Sequence, residues 1–255
     1  MKITILGCGG AGGVPLIGND WGDCDPKNPK NNRLRSSILV EHEDVKVLVD
    51  TSPDMRQQLL NVNLKTLDAI FYTHAHADHV HGIDNIRSLN WLIGKPVPLY
   101  ADQETMDVLK QQFAYIFEDH EEGKRFYLPA VQAHVIDGSP LTLGSLTIQP
   151  FHQQHGDMRS MGYRFHDFAY STDVNALDED AFKILEGVKI WIVDAVRHKP
   201  HYSHAHIDRA LEWIERIKPQ KAYLTHMNQT LDYETLKANL PDHVEPAYDG
   251  LVIEV

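Results

Sequence analysis

Apolar residues recur along this chain in two patterns, one with the period of a strand and one with the period of a helix. Short apolar runs predict strands at residues 2–6, 37–41 and 45–49, and the last two predict a hairpin. Residues 51–54, Thr-Ser-Pro-Asp, then predict the capped start of a helix. Between the first strand and the hairpin, residues 9–35 are rich in Gly, Asn, Asp and Pro, which predicts a long functional loop.

Strand and helix patterns alternate over most of the remaining chain. The predicted strands lie at residues 69–72, 97–100, 190–193, 222–224 and 251–254. The predicted helices lie at residues 83–93, 106–116, 178–185, 206–217 and 233–239. A strand-rich stretch between them predicts hairpins at residues 141–151 and 162–171. Hairpins followed by alternating strands and helices occur twice, so we predict one domain over residues 1–255, made of two similar α/β halves whose sheets face each other.

Length and composition are those of an ordinary globular protein. The 255 residues are 42% hydrophobic and 24% charged, which suffices for a sizeable core. No apolar run approaches the roughly 20 residues of a membrane span, and the start resembles no secretory signal, so we expect a cytoplasmic protein without a membrane partner. With Cys8 and Cys24 as the only cysteines, a disulfide framework is not expected. The net charge of -12 disfavours long nucleic acids as partners but allows a small phosphorylated substrate.

A cluster of potential metal ligands follows the apolar run at residues 67–72. His74 and His76 alternate in an extended segment, so their side chains share a face and can converge on one ion. Asp78 and His79 lie where the chain turns into a helix, and they should therefore point towards a second ion. Imidazole and carboxylate donors suit zinc, manganese or iron, and an open mixed shell is typical of hydrolytic sites.

Four more candidates occur at the ends of apolar strands, where sites on layered α/β sheets gather. We expect His155 and His226 to be ligands rather than structural histidines. Asp173 suits a carboxylate that bridges two ions, with a helix N-cap as the alternative role. Asp194 occupies a position like that of Asp50, and we expect both to lie outside the shell of metal ligands.

The sequence His74-x-His76-x-Asp78-His79-x-x-Gly82, followed in order by His155, Asp173 and His226, resembles the metallo-β-lactamase superfamily. That resemblance implies a four-layer αββα sandwich, with two mixed sheets flanked by helices. It also implies the division of the ligands. His74, His76 and His155 would hold the first metal; Asp78, His79 and His226 would hold the second, with Asp173 between them.

Three further segments narrow the resemblance. The glycine-rich residues 7–15, residues 31–37 and residues 203–206 are similar to the phosphodiesterase of the carbon-phosphorus lyase pathway and, more distantly, to ribonuclease Z. Relatives of that phosphodiesterase bind a structural zinc through several cysteines and a histidine. Here Cys24 stands alone and residues 227–229 contain no histidine, so the sequence does not support a third zinc site.

The same resemblance implies that His204 contacts the phosphate and protonates the departing alkoxide, a role suited to imidazole near neutral pH. The alternative is a polar residue in a helix cap. We predict that catalysis depends on His204 and on Asp78, and that His204 and His206 bind substrate.

The predicted cofactors are two divalent metal ions, zinc or manganese. Together with the carboxylates of Asp78 and Asp173 and one hydroxide, they leave a single positive charge in the site. That charge suits a phosphodiester monoanion, although it would also stabilise the oxyanion of an ester. We therefore predict a dinuclear phosphodiesterase that hydrolyses a cyclic phosphate or short nucleotide with a metal-bridging hydroxide.

Three alternative functions use the same metal ligands. A lactone or thioester hydrolase would not need His204. A ribonuclease Z-like nuclease is less favoured, because the chain lacks the basic insertion with which that family grips transfer RNA. A protein that binds metal without catalysis is disfavoured by the complete ligand set. The superfamily resemblance also suggests a homodimer.

Overall fold

The computed structural model describes residues 1–117 and 130–255. Within them the chain forms two seven-stranded sheets and eight α-helices. The first sheet contains β1 (Lys2–Gly7), β2 (Ser37–His42), β3 (Val45–Val49), β4 (Ala69–Phe71), β5 (Val97–Ala101), β6 (Val131–Val135) and β14 (Val252–Glu254). The second contains β7 (Leu141–Leu143), β8 (Leu146–His155), β9 (Met158–Phe165), β10 (Phe168–Ser171), β11 (Ile190–Asp194), β12 (Lys221–Thr225) and β13 (Val244–Pro246). The helices are α1 (Met55–Asn61), α2 (Ala77–Val80), α3 (Ile86–Ile93), α4 (Gln103–Gln112), α5 (Ala114–Phe117), α6 (Glu179–Leu185), α7 (Ile207–Ile217) and α8 (Tyr233–Ala238).

The two sheets share one pattern of parallel and antiparallel pairing, although the edge strand β14 of the first sheet comes from the C-terminal end of the chain. The first has the order β14-β1-β2-β3-β4-β5-β6 and the second β13-β12-β11-β10-β9-β8-β7. In each sheet the hairpin half is antiparallel, and the pairs from β3 to β6 and from β10 to β13 are parallel. Parallel pairs need crossover connections, which explains why strands and helices alternate in those parts of the sequence.

The strand period divides the apolar side chains between two layers of core. In β2, Ile38 and Val40 belong to the core cluster that joins both sheets, whereas Leu39 belongs to the cluster on the outer face of the first sheet. Side chains of α1, α3 and α4 pack into that outer cluster. Those of α6, α7 and α8 pack against the second sheet. The result is the αββα sandwich that the sequence predicted.

No helix within residues 1–117 and 130–255 has the length and apolar character that crossing a bilayer requires.

Two predicted helices differ in the structure. The helix predicted over residues 106–116 is two helices, because Phe113 adopts a non-helical conformation that closes α4 before α5 begins. The apolar spacing continued across this break because Met106 and Ile116 pack into the same cluster. The helix predicted over residues 83–93 begins with a 3₁₀ turn, Ile83–Asn85, before α3.

The strand β8 is four residues longer than the predicted 146–151, and it forms one hairpin with β9. Because residues 152–154 are polar, the apolar pattern did not predict this extension. Gln153 is buried in this strand, and its amide donates to Ser160 Oγ and to Thr172 O. Asp54 stands at the N-cap of α1, but its carboxylate accepts Arg35 N instead of capping the helix.

Candidate metal centre

The carboxyl ends of the parallel strands meet along one side of the sandwich. His74 and His76 follow β4, Asp173 follows β10, and His226 follows β12. His155 is the last residue of β8, at the turn into β9, rather than just beyond a strand. The two sheets are joined beside these residues, since Met161 N donates to Thr73 O at 2.8 Å and Tyr163 Oη donates to Tyr72 O at 2.5 Å.

The motif after β4 turns sharply. His76 is extended and stands at the N-cap of α2, and Asp78 and His79 lie in that helix. The ring of His79 lies 4.4 Å from that of His74. Sequence reasoning expected a turn at Asp78 and His79, and the structure forms one turn of helix. The closing Gly82 is required sterically, because a Cβ there would lie 2.0 Å from Ser52 O.

The first group of candidate ligands contains His74, His76, His155 and Asp173, whose ligand atoms all lie within 4.8 Å of one another. His155 Nε2 faces His76 Nδ1 at 3.2 Å. Asp173 Oδ1 lies 3.7 Å from both His74 Nε2 and His155 Nε2.

The second group contains Asp78, His79, Asp173 and His226, again within 4.8 Å. Asp173 Oδ2 lies 3.1 Å from His79 Nε2 and 3.3 Å from His226 Nε2. Asp78 Oδ2 lies 3.3 Å and 3.4 Å from the same two nitrogens. All seven residues that the sequence singled out as ligands are therefore brought together, in the two groups that the superfamily resemblance implied.

Asp173 belongs to both groups, and each of its oxygens faces one of them. Its backbone is held in the left-handed region at φ 53°, as are those of Asp50 at 63° and His226 at 59°. Non-glycine residues rarely adopt this conformation, and it costs about 1–3 kcal/mol at each position. Such strain at buried strand ends is typical of functional sites.

Hydrogen-bond partners at Nδ1 orient three of the imidazole rings. The Nδ1 of His79 lies 2.7 Å from Asp50 Oδ2, and the Nδ1 of His155 donates to Ser203 O at 2.6 Å. The Nδ1 of His74 lies 3.0 Å from Thr73 Oγ1, which donates to Asp50 Oδ2. Metal-binding histidines are commonly fixed in this way, with the other ring nitrogen left for the metal. Asp50 thus has the supporting position that the sequence suggested.

Two of the inward-facing nitrogens lack hydrogen-bond partners among the described residues. His74 Nε2 and His79 Nε2 are buried and have none. An unsatisfied buried polar atom costs free energy, and a cation bound among these nitrogens and carboxylates would remove that cost. The residues therefore fit divalent metal ions, and nitrogen and oxygen donors of this kind suit zinc or manganese.

Electrostatics divide the histidines into two classes. Burial lowers the pKa of His74 well below its usual value, and neighbouring His79 lowers it further. Burial also pushes the pKa of His226 down, but Asp173, Asp78 and Asp194 outweigh this and raise it to about 9. The pKa of Asp173 is held well below its usual value, because His226, His79 and His74 outweigh the effect of burial. Asp173 is therefore ionised at neutral pH.

His204 lies at the edge of the two groups. Its ring stacks on that of His226 at 4.6 Å and meets the ring of His155 edge-on at 4.7 Å. Its Nδ1 lies 3.0 Å from Asp194 Oδ2, and the same oxygen accepts backbone N–H groups of Val174 and Ala205. Sequence reasoning placed Asp194 outside the metal ligands but did not identify it as the partner of His204. The position of Asp194 at a strand end was the only signal available.

Two other sequence-predicted features lie apart from this centre. His206 stands at the N-cap of α7, and no contact described for residues 1–117 and 130–255 joins its side chain to the seven candidate ligands. Cys24 is buried and belongs to none of the ligand groups found among the described residues. Its thiol lies 3.9 Å from the guanidinium of the buried Arg33.

Comparison with known families supports the resemblance. Residues 45–227 match the model of the beta-lactamase superfamily domain. The crystal structure of a diphosphatase from the PhnP family superposes with a TM-score of 0.91 at 37% identity, covering 99% of this chain and 96% of that one.

Curated relatives match over less of their own length. An octanoyltransferase of Porphyromonas gingivalis is 30% identical over 255 residues, which are 98% of this chain and 51% of the relative. A ribonuclease Z of a Bradyrhizobium species is 29% identical over 141 residues, which are 54% of this chain and 46% of the relative. The chain thus spans about half the length of the curated relatives it matches.

Proposed function

The chain belongs to the PhnP-like branch of the metallo-β-lactamase superfamily, and we propose on that basis that it is a metal-dependent hydrolase of small phosphodiesters. The observation that carries the proposal is the position of Asp173. One carboxylate turns one oxygen to each of two groups of buried histidines, with His204 beside them. This arrangement suits a pair of divalent ions and a phosphoryl group next to them.

The seven candidate ligands would hold two ions, zinc or manganese. Ions bound there would supply Lewis-acid activation of water and of the phosphoryl group. The chain's own residues have three tasks. Asp50 and Ser203 O orient His79 and His155, Asp173 holds the two groups together, and Asp78 completes the second group on the exposed side.

His204 has the position of a proton donor to the leaving group. Asp194 accepts a hydrogen bond from His204 Nδ1, so Nε2 is the atom that exchanges a proton with the substrate. The side chain is 12% exposed, which leaves it accessible from the cleft while its ring is held by His226 and His155. A positioned general acid of this kind contributes about 100-fold or more to the rate.

The test is turnover of bis(4-nitrophenyl) phosphate, a 2',3'-cyclic nucleotide and an organic diphosphate ester by protein supplied with manganese or zinc. We expect hydrolysis of at least one of them, lost on chelation and restored by metal. For the 2',3'-cyclic nucleotide, whose leaving group is an alkoxide, His204→Ala should lower kcat about 100-fold. The matched control is His198→Ala, since His198 is an exposed histidine on the same connection. Inactivity of the metal-supplied protein on every compound would overturn the proposal.

A second candidate is hydrolysis of a lactone or thioester. The observation that favours it is the match to an octanoyltransferase, over half the length of that relative. An octanoyl thioester and a simple lactone therefore belong in the same assay. If a thioester is the true substrate, its hydrolysis should survive His204→Ala, because a thiolate is a weaker base than an alkoxide and needs less help from a proton donor.

A further inference from the structure

A cleft opens beside the candidate metal centre, between the glycine-rich loop after β1 and the residues that precede α1. Its volume is about 540 Å³, within the range of sites that hold small organic ligands. It is lined by Ala11, Gly12, Leu16, Ile17, Arg35, Pro53, Ala77 and Asp78. Since Asp78 is also a candidate ligand of the second metal, one end of the cleft adjoins the reacting centre.

The walls of the cleft are mainly apolar. Apart from the charged residues Arg35 and Asp78, the lining residues are alanine, leucine, isoleucine, proline and glycine. The charge of Arg35 is matched, because its Nε lies 3.0 Å from Asp54 Oδ2. No unmatched cation among the lining residues therefore invites a second phosphate, and the surface suits an uncharged organic group.

Ile17 is the most unusual residue of the cleft, because its side chain is fully exposed. A closed turn holds it there: Leu16 N donates to Asp20 O at 2.9 Å, and Asn19 N donates back to Leu16 O at 3.0 Å. The base of the loop is fixed by the paired hydrogen bonds between Val14 and Arg33. Ile17 is thus presented to solvent by an ordered turn at the edge of the cleft, where an apolar group bound in the cleft would cover it.

From these observations we infer that the cleft binds the organic group of the substrate while the phosphoryl group lies beside Asp78. Ile17 then selects esters of aromatic or other apolar alcohols over esters of small ones. This inference rests on the proposed phosphodiesterase function, and it names the class of substrate that the site prefers.

The experiment measures the affinity of metal-supplied protein for phenylphosphonate and methylphosphonate by calorimetry. Both carry the same phosphoryl anion and differ only in the organic group. We expect the wild type to bind phenylphosphonate at least tenfold more tightly. Ile17→Ser should weaken phenylphosphonate binding about five- to tenfold and leave methylphosphonate unchanged, as expected for the loss of one apolar contact. Ile17→Leu should restore the preference.

Leu60→Ser is the matched control, because Leu60 is an exposed aliphatic residue on α1 that does not line the cleft. Equal affinity of the wild type for the two phosphonates, absence of binding, or equal weakening of both by Ile17→Ser would overturn the inference. Hydrolysis assays on the same preparations separate the two proposals. If the protein prefers phenylphosphonate through Ile17 but has no phosphodiesterase activity, the cleft binds an apolar group as inferred and the proposed function is wrong.

Discussion

At the scale of single residues, the candidate ligands were predictable because each carries a signal in the sequence. Four of them lie within six residues after an apolar strand, and the others lie at or just beyond the ends of other strands. The partnership of Asp194 with His204 was not predictable, because ten residues separate them and only the packing of the connection between β11 and α7 brings them within 3.0 Å. The left-handed backbone of Asp173 likewise depends on its tertiary surroundings.

Asp194 acts as a positioning residue for His204, and this can be tested. Asp194→Asn should lower kcat for the preferred phosphodiester about 10- to 100-fold with little change in KM, since it disturbs the partner of a group that acts on the leaving oxygen. The measurement is steady-state kinetics on Asp194→Asn, His204→Ala and the double variant.

The combined change should cost little more than His204→Ala alone, because the two residues act as one unit. Multiplicative losses would mean that Asp194 acts independently of His204, contrary to this assignment.

At the scale of elements, the spacing of apolar residues predicted the strands and helices wherever one face of the element is buried. The prediction failed where buried polar residues take part in a strand, as Gln153 does in β8. It also failed at Phe113, where two helices pack on one core without forming a continuous helix. Short edge strands such as β13 gave no signal, because three residues do not establish a period.

Asp249 precedes β14 and joins it to the segments that follow β1 and precede β2, and its burial predicts a pH dependence of stability. Its carboxylate accepts the backbone N–H groups of Cys8 and Leu34, and burial raises its pKa to about 7. In the unfolded chain the pKa is about 3.9. Between these values the folded protein keeps a proton that the unfolded chain has lost. The stability that this proton contributes is therefore complete at low pH and is lost as the pH rises through 7.

The loss should amount to about 3 kcal/mol between pH 5 and pH 8. Asp249→Asn should remove this component, so the free energy of unfolding should fall less steeply with pH than in the wild type. Urea unfolding at both pH values, with chelator present, measures it. Asp44→Asn, at the exposed turn between β2 and β3, is the control and should follow the wild type. The same slope in Asp249→Asn would refute the assignment.

At the scale of the whole molecule, the doubled organisation of the sequence matches the doubled topology of the sheets. Each half contributes an antiparallel hairpin region and a parallel region, and the candidate centre lies where the parallel ends of the two halves meet. The family match and the superposition support the predicted fold and a metal-dependent hydrolase. Composition alone could not have located the centre, because it depends on the facing of the two sheets.

Removal of metal should destabilise the whole protein. The inward-facing nitrogens of His74 and His79 lack hydrogen-bond partners among the described residues, and ions that bind only the folded state stabilise it by mass action. At a metal concentration about 100 times the Kd, each site adds about 2.7 kcal/mol. Thermal unfolding with and without chelator should show a lower Tm after chelation, restored by manganese or zinc. In His74→Ala the shift should shrink, and an unchanged Tm in the wild type would contradict the prediction.

The central claim is that seven side chains from both halves hold two divalent ions around the Asp173 carboxylate. Anomalous diffraction from crystals of metal-supplied protein, recorded on both sides of the metal absorption edge, tests it most directly. We expect two anomalous peaks, one on each side of Asp173, bounded by the two groups of residues described above. A single peak, or none among these histidines, would contradict the account.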